Sequence, residues 1–196
     1  MTTGVLLLHG SSGKPDLDRA QILEAAGYDV VAPQWFDGPI SEIPLESFPL
    51  DELAARNDRL VVMGMSYGSV AALLLASFDE RVDAVVALAP GAHVWAWIGD
   101  GEQTSMFTRQ GELLLLAGGD DRLWPSVDFA GQLAERRGTR PTQLLISVDA
   151  GHRLVFPGEE VKTSGQRMAR GGSEEADRAF GQQAWAQVAQ VLAGTR

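Results

Sequence analysis

The chain has 196 residues, contains no cysteine and carries a formal net charge of -10 at pH 7. This length suits one domain with a full core, and a hydrophobic content of 45% is too high for a disordered chain. The acidic balance argues against nonspecific binding to nucleic acid or to an anionic membrane, and the lack of cysteine excludes disulfides and thiolate zinc sites.

Six apolar runs bounded by turn residues predict six β-strands. They are 4–8, 28–32, 59–63, 82–88, 112–117 and 143–148. The runs are continuous rather than alternating, which is typical of parallel strands covered by helices on both faces. No run reaches the length of a membrane span and the first is too short for a signal peptide, so we expect a cytoplasmic protein.

Four segments between or after these runs have helical patterns. They are 16–27, 69–78, 126–138 and 174–194. We expect Ser126 to cap the third helix, and Gly27 and Gly138 to end the first and the third. Because strands and helices alternate, the predicted fold is a single α/β domain over 1–196, with a mostly parallel sheet of about six strands and helices on both faces.

Two connections, 33–50 and 89–111, are longer than a minimal loop requires. They carry the tryptophans Trp35, Trp95 and Trp97. Both follow strands, so we expect them at the carboxyl edge of the sheet, where open α/β folds bind ligands. Their aromatic side chains either line a binding site there or only cover the core.

Residues 64–68, GMSYG, match the pattern G-x-S-x-G between a predicted strand and an apolar helix. In that setting the pattern forms a sharp turn that exposes the serine, here Ser66. Gly64 and Gly68 remove side chains that would collide in such a turn, and the helix N-terminus favours developing negative charge. Ser66 is therefore the predicted nucleophile.

A serine nucleophile needs a base, and the base needs a third group to orient it. His152 follows the last predicted strand, where it can reach the turn. Asp120 and Asp121 follow the preceding strand, and both are candidates for the acid. The chain order serine, aspartate, histidine is the order of the α/β-hydrolases, so the sequence predicts a minimal α/β-hydrolase fold.

Backbone N–H groups must bind the negative charge that develops on the substrate oxygen. One is expected from Tyr67, and the other from the loop after the first strand, HGSSGKP at 9–15. In that loop we favour the Ser11 amide, with Ser12 as the alternative. Such a loop can also bind phosphate, but it lacks the G-x-G-x-x-G and G-K-[ST] patterns, which disfavours nucleotide binding.

Five segments carry a family resemblance: 5–53, 61–76, 82–90, 115–126 and 151–159, among them VVMGMSYGSVAALLLA and GHRLVFPGE. Together they resemble the C-terminal hydrolase domain of the acyl-CoA thioesterase and bile acid-CoA:amino acid N-acyltransferase family. That domain is dienelactone-hydrolase-like in fold. The N-terminal β-sandwich domain of the family is not expected here, and a homodimer would cover the face that it leaves open.

The resemblance implies a serine hydrolase of acyl-CoA thioesters or related esters, without metal or organic cofactor. It assigns Ser66 as nucleophile, Asp121 as acid and His152 as base. Asp121 is preferred over Asp120 because an apolar residue and a proline follow it at the spacing found in hydrolases. Residues expected to bind substrate are His9, Ser12, Trp35, His93, Trp95, Trp124 and Arg153.

Two other functions are open. A carboxylesterase or dienelactone-hydrolase-like enzyme would act on small oxygen esters, and a catalytically silent hydrolase fold would serve as a binding module. Basic side chains in the loops at 109, 122, 153, 162, 167 and 170 suit an anionic substrate, and equally an ordinary solvated loop.

Overall fold

A computed structural model describes residues 1–40, 42–95, 103–105, 111–162 and 169–195, with only the backbone for Trp95 and 103–105. Its centre is a six-stranded parallel sheet in the order β2-β1-β3-β4-β7-β8, which confirms the predicted α/β architecture. The strands are β1 (Thr3–Leu8), β2 (Asp29–Val31), β3 (Arg59–Met65), β4 (Val82–Leu88), β5 (His93–Trp95), β6 (Gln103–Ser105), β7 (Glu112–Gly118) and β8 (Thr142–Ser147). The β5 and β6 strands pair separately as an antiparallel ribbon.

Five α-helices are present in the described part of the chain: α1 (Leu17–Ala25), α2 (Leu50–Ala54), α3 (Tyr67–Phe78), α4 (Ser126–Arg137) and α5 (Glu174–Ala193). Four lie where the sequence predicts them, while α2 and the β5–β6 ribbon were missed because they fall within or beside the two long connections. The α3 helix begins at Tyr67 rather than at 69, directly after Ser66. Among the described helices, none combines the length and apolar character needed to cross a membrane.

Alternate side chains along each central strand point to opposite faces and form two separate cores. On one face, Leu6 and Val62 belong to a buried cluster that includes side chains of α2, α3 and α4. On the other face, Leu7 and Met63 belong to a cluster that includes side chains of α1 and α5. This double cover explains why the strand sequences are continuously apolar.

Two local expectations were wrong. Pro125, not Ser126, is the N-cap of α4, because the Ser126 hydroxyl is bonded to Asp121 and is not available to the helix. The prediction of cover on both faces fails for the edge strand β8, where Leu144 and Ile146 remain 39% and 40% exposed. An edge strand has a neighbour on one side only, so less of its surface is buried.

A buried ion pair ties α1 to the segment that follows His152. Arg19, only 1% exposed, donates two hydrogen bonds to the carboxylate of Glu159. The Arg19 guanidinium also lies 4.6 Å from the centre of the Phe156 ring and donates to the Leu154 carbonyl oxygen. The pair therefore holds the chain beyond His152 against the first helix.

Arg19→Ala should lower the free energy of unfolding by about 3–5 kcal/mol, because it leaves the Glu159 carboxylate buried without its partner. Urea denaturation measures this loss. Arg81→Ala is the matched control: its pairs with Asp79 and Asp51 are exposed, so it should cost at most about 1 kcal/mol. Equal losses for the two variants would contradict the structural role given to Arg19.

Candidate active site

The G-x-S-x-G segment forms the predicted strand-turn-helix, with Ser66 at the bend between β3 and α3. Ser66 has φ 57° and ψ -122°, a conformation that non-glycine residues rarely adopt. Its backbone N–H donates to the Leu88 carbonyl oxygen at 2.9 Å. Its carbonyl oxygen accepts from the Ser69 hydroxyl at 2.6 Å and from the Ser69 N–H at 2.9 Å. These bonds hold the serine in its strained position.

Both glycines of the motif are required by close backbone contacts. A Cβ on Gly64 would overlap the carbonyl group of Gly68. A Cβ on Gly68 would overlap the carbonyl oxygen of Leu8, at the end of β1. The helix can therefore start directly beside the carboxyl ends of β1 and β3, which brings Ser66 to the first loop.

His152 and Asp121 are joined by a hydrogen bond of 2.7 Å between Nδ1 and Oδ2. An ionised carboxylate only accepts hydrogen bonds, so Nδ1 must be the donor. In the neutral imidazole the other nitrogen, Nε2, is then left without a proton. This is the tautomer that a general base acting on a serine hydroxyl requires.

Asp121 is surrounded by donors. Its carboxylate also accepts from the Ser126 hydroxyl, from the Leu123 N–H at 2.9 Å and from the Trp124 N–H at 3.3 Å. Burial alone would raise the pKa of Asp121, but the bond and charge of His152, with the bonds from Ser126 and Leu123, hold that pKa below its ordinary value. The stabilisation it provides is present at neutral pH and is lost as the pH falls through the lowered pKa.

The neighbouring carboxylate has a different environment. Asp120 points outward, where it pairs with Arg122 and accepts from the Gly172 N–H at 2.8 Å. These interactions lower the pKa of Asp120, the Arg122 bond most. The structure therefore brings only one of the two candidate acids, Asp121, to His152, while Asp120 links two loops around the site.

A cavity of about 620 Å³ contains both Ser66 and His152 in its wall. The loop after β1 also lines it, through His9, Gly10, Ser11 and Ser12. A Cβ on Gly10 would lie 3.1 Å from the Ser66 Cβ and 3.7 Å from its Oγ, so this loop packs directly against the serine. Tyr67, the first residue of α3, presents a backbone N–H without an acceptor in its own helix.

A second cavity, of about 260 Å³, is lined by Tyr67, the residue after the serine. Its walls are mostly apolar, and they include Trp35, Phe48, Val70 and Val94. The Trp35 indole N–H donates to the His9 carbonyl oxygen at 3.1 Å, which connects this wall to the loop of the first cavity. The sequence indicated Trp35 but not the rest of this pocket, for which the apolar residues among the prolines of 40–50 were the available signal.

The remaining predicted residues differ in their position. His9 is buried against the Trp35 and Phe36 rings, and its Nδ1 donates to the Gly10 carbonyl oxygen at 2.8 Å. Burial lowers the pKa of His9, against the opposing effects of that bond and of Asp16, so its imidazole is neutral at pH 7. It therefore supports the loop from inside.

Two predicted residues, His93 from the second long connection and Trp124 from the loop after β7, are not in the described wall of either cavity. The Trp124 ring packs 5.5 Å from the His152 ring, and its indole N–H donates to the Ala89 carbonyl oxygen. His93 packs 5.3 Å from the Phe129 ring rather than along the described wall of either cavity. Trp97 and the side chain of Trp95 lie outside the described residues.

Arg153 and three other cations line the first cavity, and the sequence did not indicate how they are held. The other three are Lys14, Lys162 and Arg170. Asp16, a buried carboxylate with no sequence motif around it, bonds Lys162 at 2.7 Å. In the described part of the chain, no group of three His, Asp or Glu side chains is arranged to hold a metal ion.

The chain matches no family model and no curated protein. Solved structures do match. MGS-M1, an α/β-hydrolase enzyme from a Medee basin deep-sea metagenome, has a TM-score of 0.68 at 18% identity, over 97% of this chain and 84% of that one. The fold is that of the α/β-hydrolases.

Two further structures have the same fold. The Pyrococcus furiosus esterase Pf2001 has a TM-score of 0.66 at 14% identity, covering 98% of this chain and 83% of that chain. The dienelactone hydrolase-like promiscuous phosphotriesterase P91, from metagenomic libraries, has a TM-score of 0.62 at 18% identity, covering 98% and 86%. The dienelactone-hydrolase-like part of the predicted resemblance is thereby supported, whereas membership of the thioesterase family stays a prediction.

Gly68→Ala should displace the turn, because the added Cβ overlaps the Leu8 carbonyl oxygen. We expect a loss of about 1–3 kcal/mol in the free energy of unfolding and about 10²-fold in turnover of any ester that the wild type cleaves. Gly131→Ala, in α4, is the control: no atom lies within 4 Å of its Cβ, so stability should rise by about 0.5–1 kcal/mol. Similar behaviour of the two variants would argue against the close backbone contact.

Asp121→Asn should lower kcat by about 10³-fold or more, because an amide no longer stabilises His152 in the required tautomer. Asp120→Asn, its neighbour, should change kcat by less than about 10-fold, because Asp120 does not contact His152 and its ion-pair partner Arg122 is exposed. Steady-state kinetics of the two purified variants decide between the carboxylates. A larger loss for the Asp120 variant would reverse the assignment.

Proposed function

We propose that the chain is a serine hydrolase that cleaves carboxylic esters through an acyl-enzyme on Ser66. One observation carries this proposal: the strained Ser66 shares a cavity with His152, whose Nδ1 is bonded to the buried Asp121. A serine that only ended a strand would not be expected to share a cavity with a histidine whose Nδ1 donates to a buried carboxylate. The esterase and the dienelactone hydrolase-like enzyme among the similar structures support the same reaction class.

The first half of the reaction forms the acyl-enzyme. Ser66 Oγ attacks the ester carbonyl carbon while His152 Nε2 takes its proton, and the carbonyl oxygen becomes an oxyanion. The backbone N–H groups of Tyr67 and Ser11 are the proposed donors to that oxygen. When the tetrahedral intermediate collapses, the bond between the carbonyl carbon and the leaving group breaks, His152 donates the proton to that leaving group, and the carbonyl double bond re-forms in the acyl group on Ser66 Oγ.

The second half releases the acid. A water molecule attacks the acyl carbonyl while His152 again takes the proton, and the ester bond to Ser66 Oγ breaks as His152 protonates that oxygen. Asp121 remains ionised throughout and stabilises the imidazolium that forms twice. Its lowered pKa is suited to this constant charge.

The substrate class is proposed at two levels. Acyl-CoA thioesters are the substrates that the sequence resemblance implies. Small oxygen esters are the alternative, and the 260 Å³ apolar cavity beside Tyr67 favours an acyl or alkyl chain of modest length in either case. A silent binding module is disfavoured by the intact His152–Asp121 hydrogen bond.

The homodimer, the cytoplasmic location and the single-domain organisation stay predictions.

Ser66→Ala should keep the fold and lower turnover by at least about 10³-fold, because no nucleophile remains. Purified wild type and variant are compared on p-nitrophenyl esters and acyl-CoA thioesters of matching chain length. A fluorophosphonate probe should label only the wild type. Ser77→Ala, a serine near the other end of α3, is the control and should behave as wild type.

Activity or labelling that persists in the Ser66 variant would refute the nucleophile. A wild type that is inactive on both series and unlabelled by the probe would instead favour the binding module. Relative kcat/KM values, rather than turnover alone, rank the two substrate classes. A thiol is a good leaving group, so even an esterase can cleave a thioester.

A further inference from the structure

The cavity beside Ser66 is cationic, although the chain as a whole is acidic. Lys14, Arg153, Lys162 and Arg170 all line it, in a protein of net charge -10. Asp16 is the one carboxylate in the described wall of this cavity. Positive charge concentrated next to the proposed nucleophile favours a substrate that carries a negative charge.

The available carboxylates do not neutralise these cations. Asp16 is 8% exposed and forms ion pairs with Lys162 at 2.7 Å and with Arg153 at 3.6 Å. One negative charge is therefore shared by two cations of the cavity wall. Lys162 also approaches Asp18, at 3.4 Å. Within the described residues, no carboxylate pairs with Lys14 or with Arg170, whose guanidinium donates to the Lys162 carbonyl oxygen.

Arg19 donates to Glu159, which does not line the cavity, and its guanidinium also lies 3.9 Å from Asp16, so Asp16 has a third cation beside it. Arg153 is largely removed from water, with a side chain only 18% exposed. Burial lowers the pKa of Arg153, and the charges of Arg19 and Arg170 act in the same direction against Asp16 and Glu159. A guanidinium in this position gains a partner when an anion enters.

We propose that these four side chains form an anion subsite, and that the substrate carries a carboxylate or phosphate group near the scissile bond. This inference rests on the proposed ester hydrolysis by Ser66. Arginine forks match both anions in geometry, and lysines add point charge. The apolar cavity takes the uncharged part of the substrate, because Glu42 in its wall repels an anion there.

The anion has two possible sources with the same chemistry. It lies on the acyl part, as in the half-ester of a dicarboxylic acid, or on the leaving group, as in a CoA thioester. Three matched pairs of substrates distinguish them. These are p-nitrophenyl butanoate against mono-p-nitrophenyl succinate, phenyl acetate against 4-acetoxybenzoate, and S-ethyl thioacetate against acetyl-CoA.

We expect the wild type to prefer the anionic member of at least one pair by about 10-fold or more in kcat/KM, mainly through KM. The pair that shows the preference identifies the source of the anion. Raising the salt concentration should reduce this preference, because exposed charges are screened. No preference in any pair would overturn the subsite.

Lys14→Gln and Arg170→Gln test the residues, and each should lower the ratio of anionic to neutral kcat/KM by about 5- to 10-fold. Lys14 is exposed, so its replacement carries little risk to folding. Arg140→Gln, which removes an exposed positive charge just before β8, is the matched control and should leave the ratio unchanged. Equal ratios in all four proteins would refute the proposal.

Binding of succinate and of inorganic phosphate to the Ser66→Ala protein, measured by calorimetry, gives a readout without turnover. Arg170→Gln in that background should weaken binding of at least one of them by about 5- to 10-fold. If neutral esters are cleaved in a Ser66-dependent way but neither anion binds, the subsite is wrong and the hydrolase stands. If the Ser66 variant itself remains active on esters, the proposed function is wrong, whatever the anions do.

Discussion

The close approach of backbone to backbone at the Ser66 turn is the constraint on which the site depends. Gly68 lies against the Leu8 carbonyl oxygen and Gly64 against Gly68, so any side chain at either glycine would separate α3 from the sheet. Because the contact is made, the helix N-terminus, the strained serine and the Gly10 loop meet at one edge of the sheet. The proposed oxyanion donors are placed by the same contact.

Two buried carboxylates organise the charge around this turn. Asp121 orients His152 and is itself held by donors from its own loop and from α4. Asp16, just before α1, forms ion pairs with Lys162 and Arg153 at the wall of the same cavity. An acidic protein can in this way keep a cationic cavity, because charges inside a concave, partly desolvated site are screened less than those on the surface.

Much of the secondary structure followed from apolar continuity and turn residues, since buried parallel strands must be apolar on both faces. The failures have specific causes. Ser126 has the side chain of a helix cap, but its hydroxyl is bonded to Asp121 instead. Leu144 and Ile146 have the composition of a buried strand, but β8 is the last strand of the sheet. Neither fact is visible without knowing what lies beside the residue in space.

The sequence by itself determined the fold class and the order of the candidate triad. Alternating strand and helix patterns predict the fold class, and a serine flanked by glycines between a strand and a helix meets the backbone requirements of a sharp turn. The resemblance already favoured Asp121 over Asp120, but only the tertiary structure shows Asp121 bonded to His152 while Asp120 points away to the Gly172 N–H. It alone also brought Lys14 to Arg153, Lys162 and Arg170. Lys14 and Arg153 follow β1 and β8, and they meet because both strands lie in one parallel sheet with their carboxyl ends at one edge.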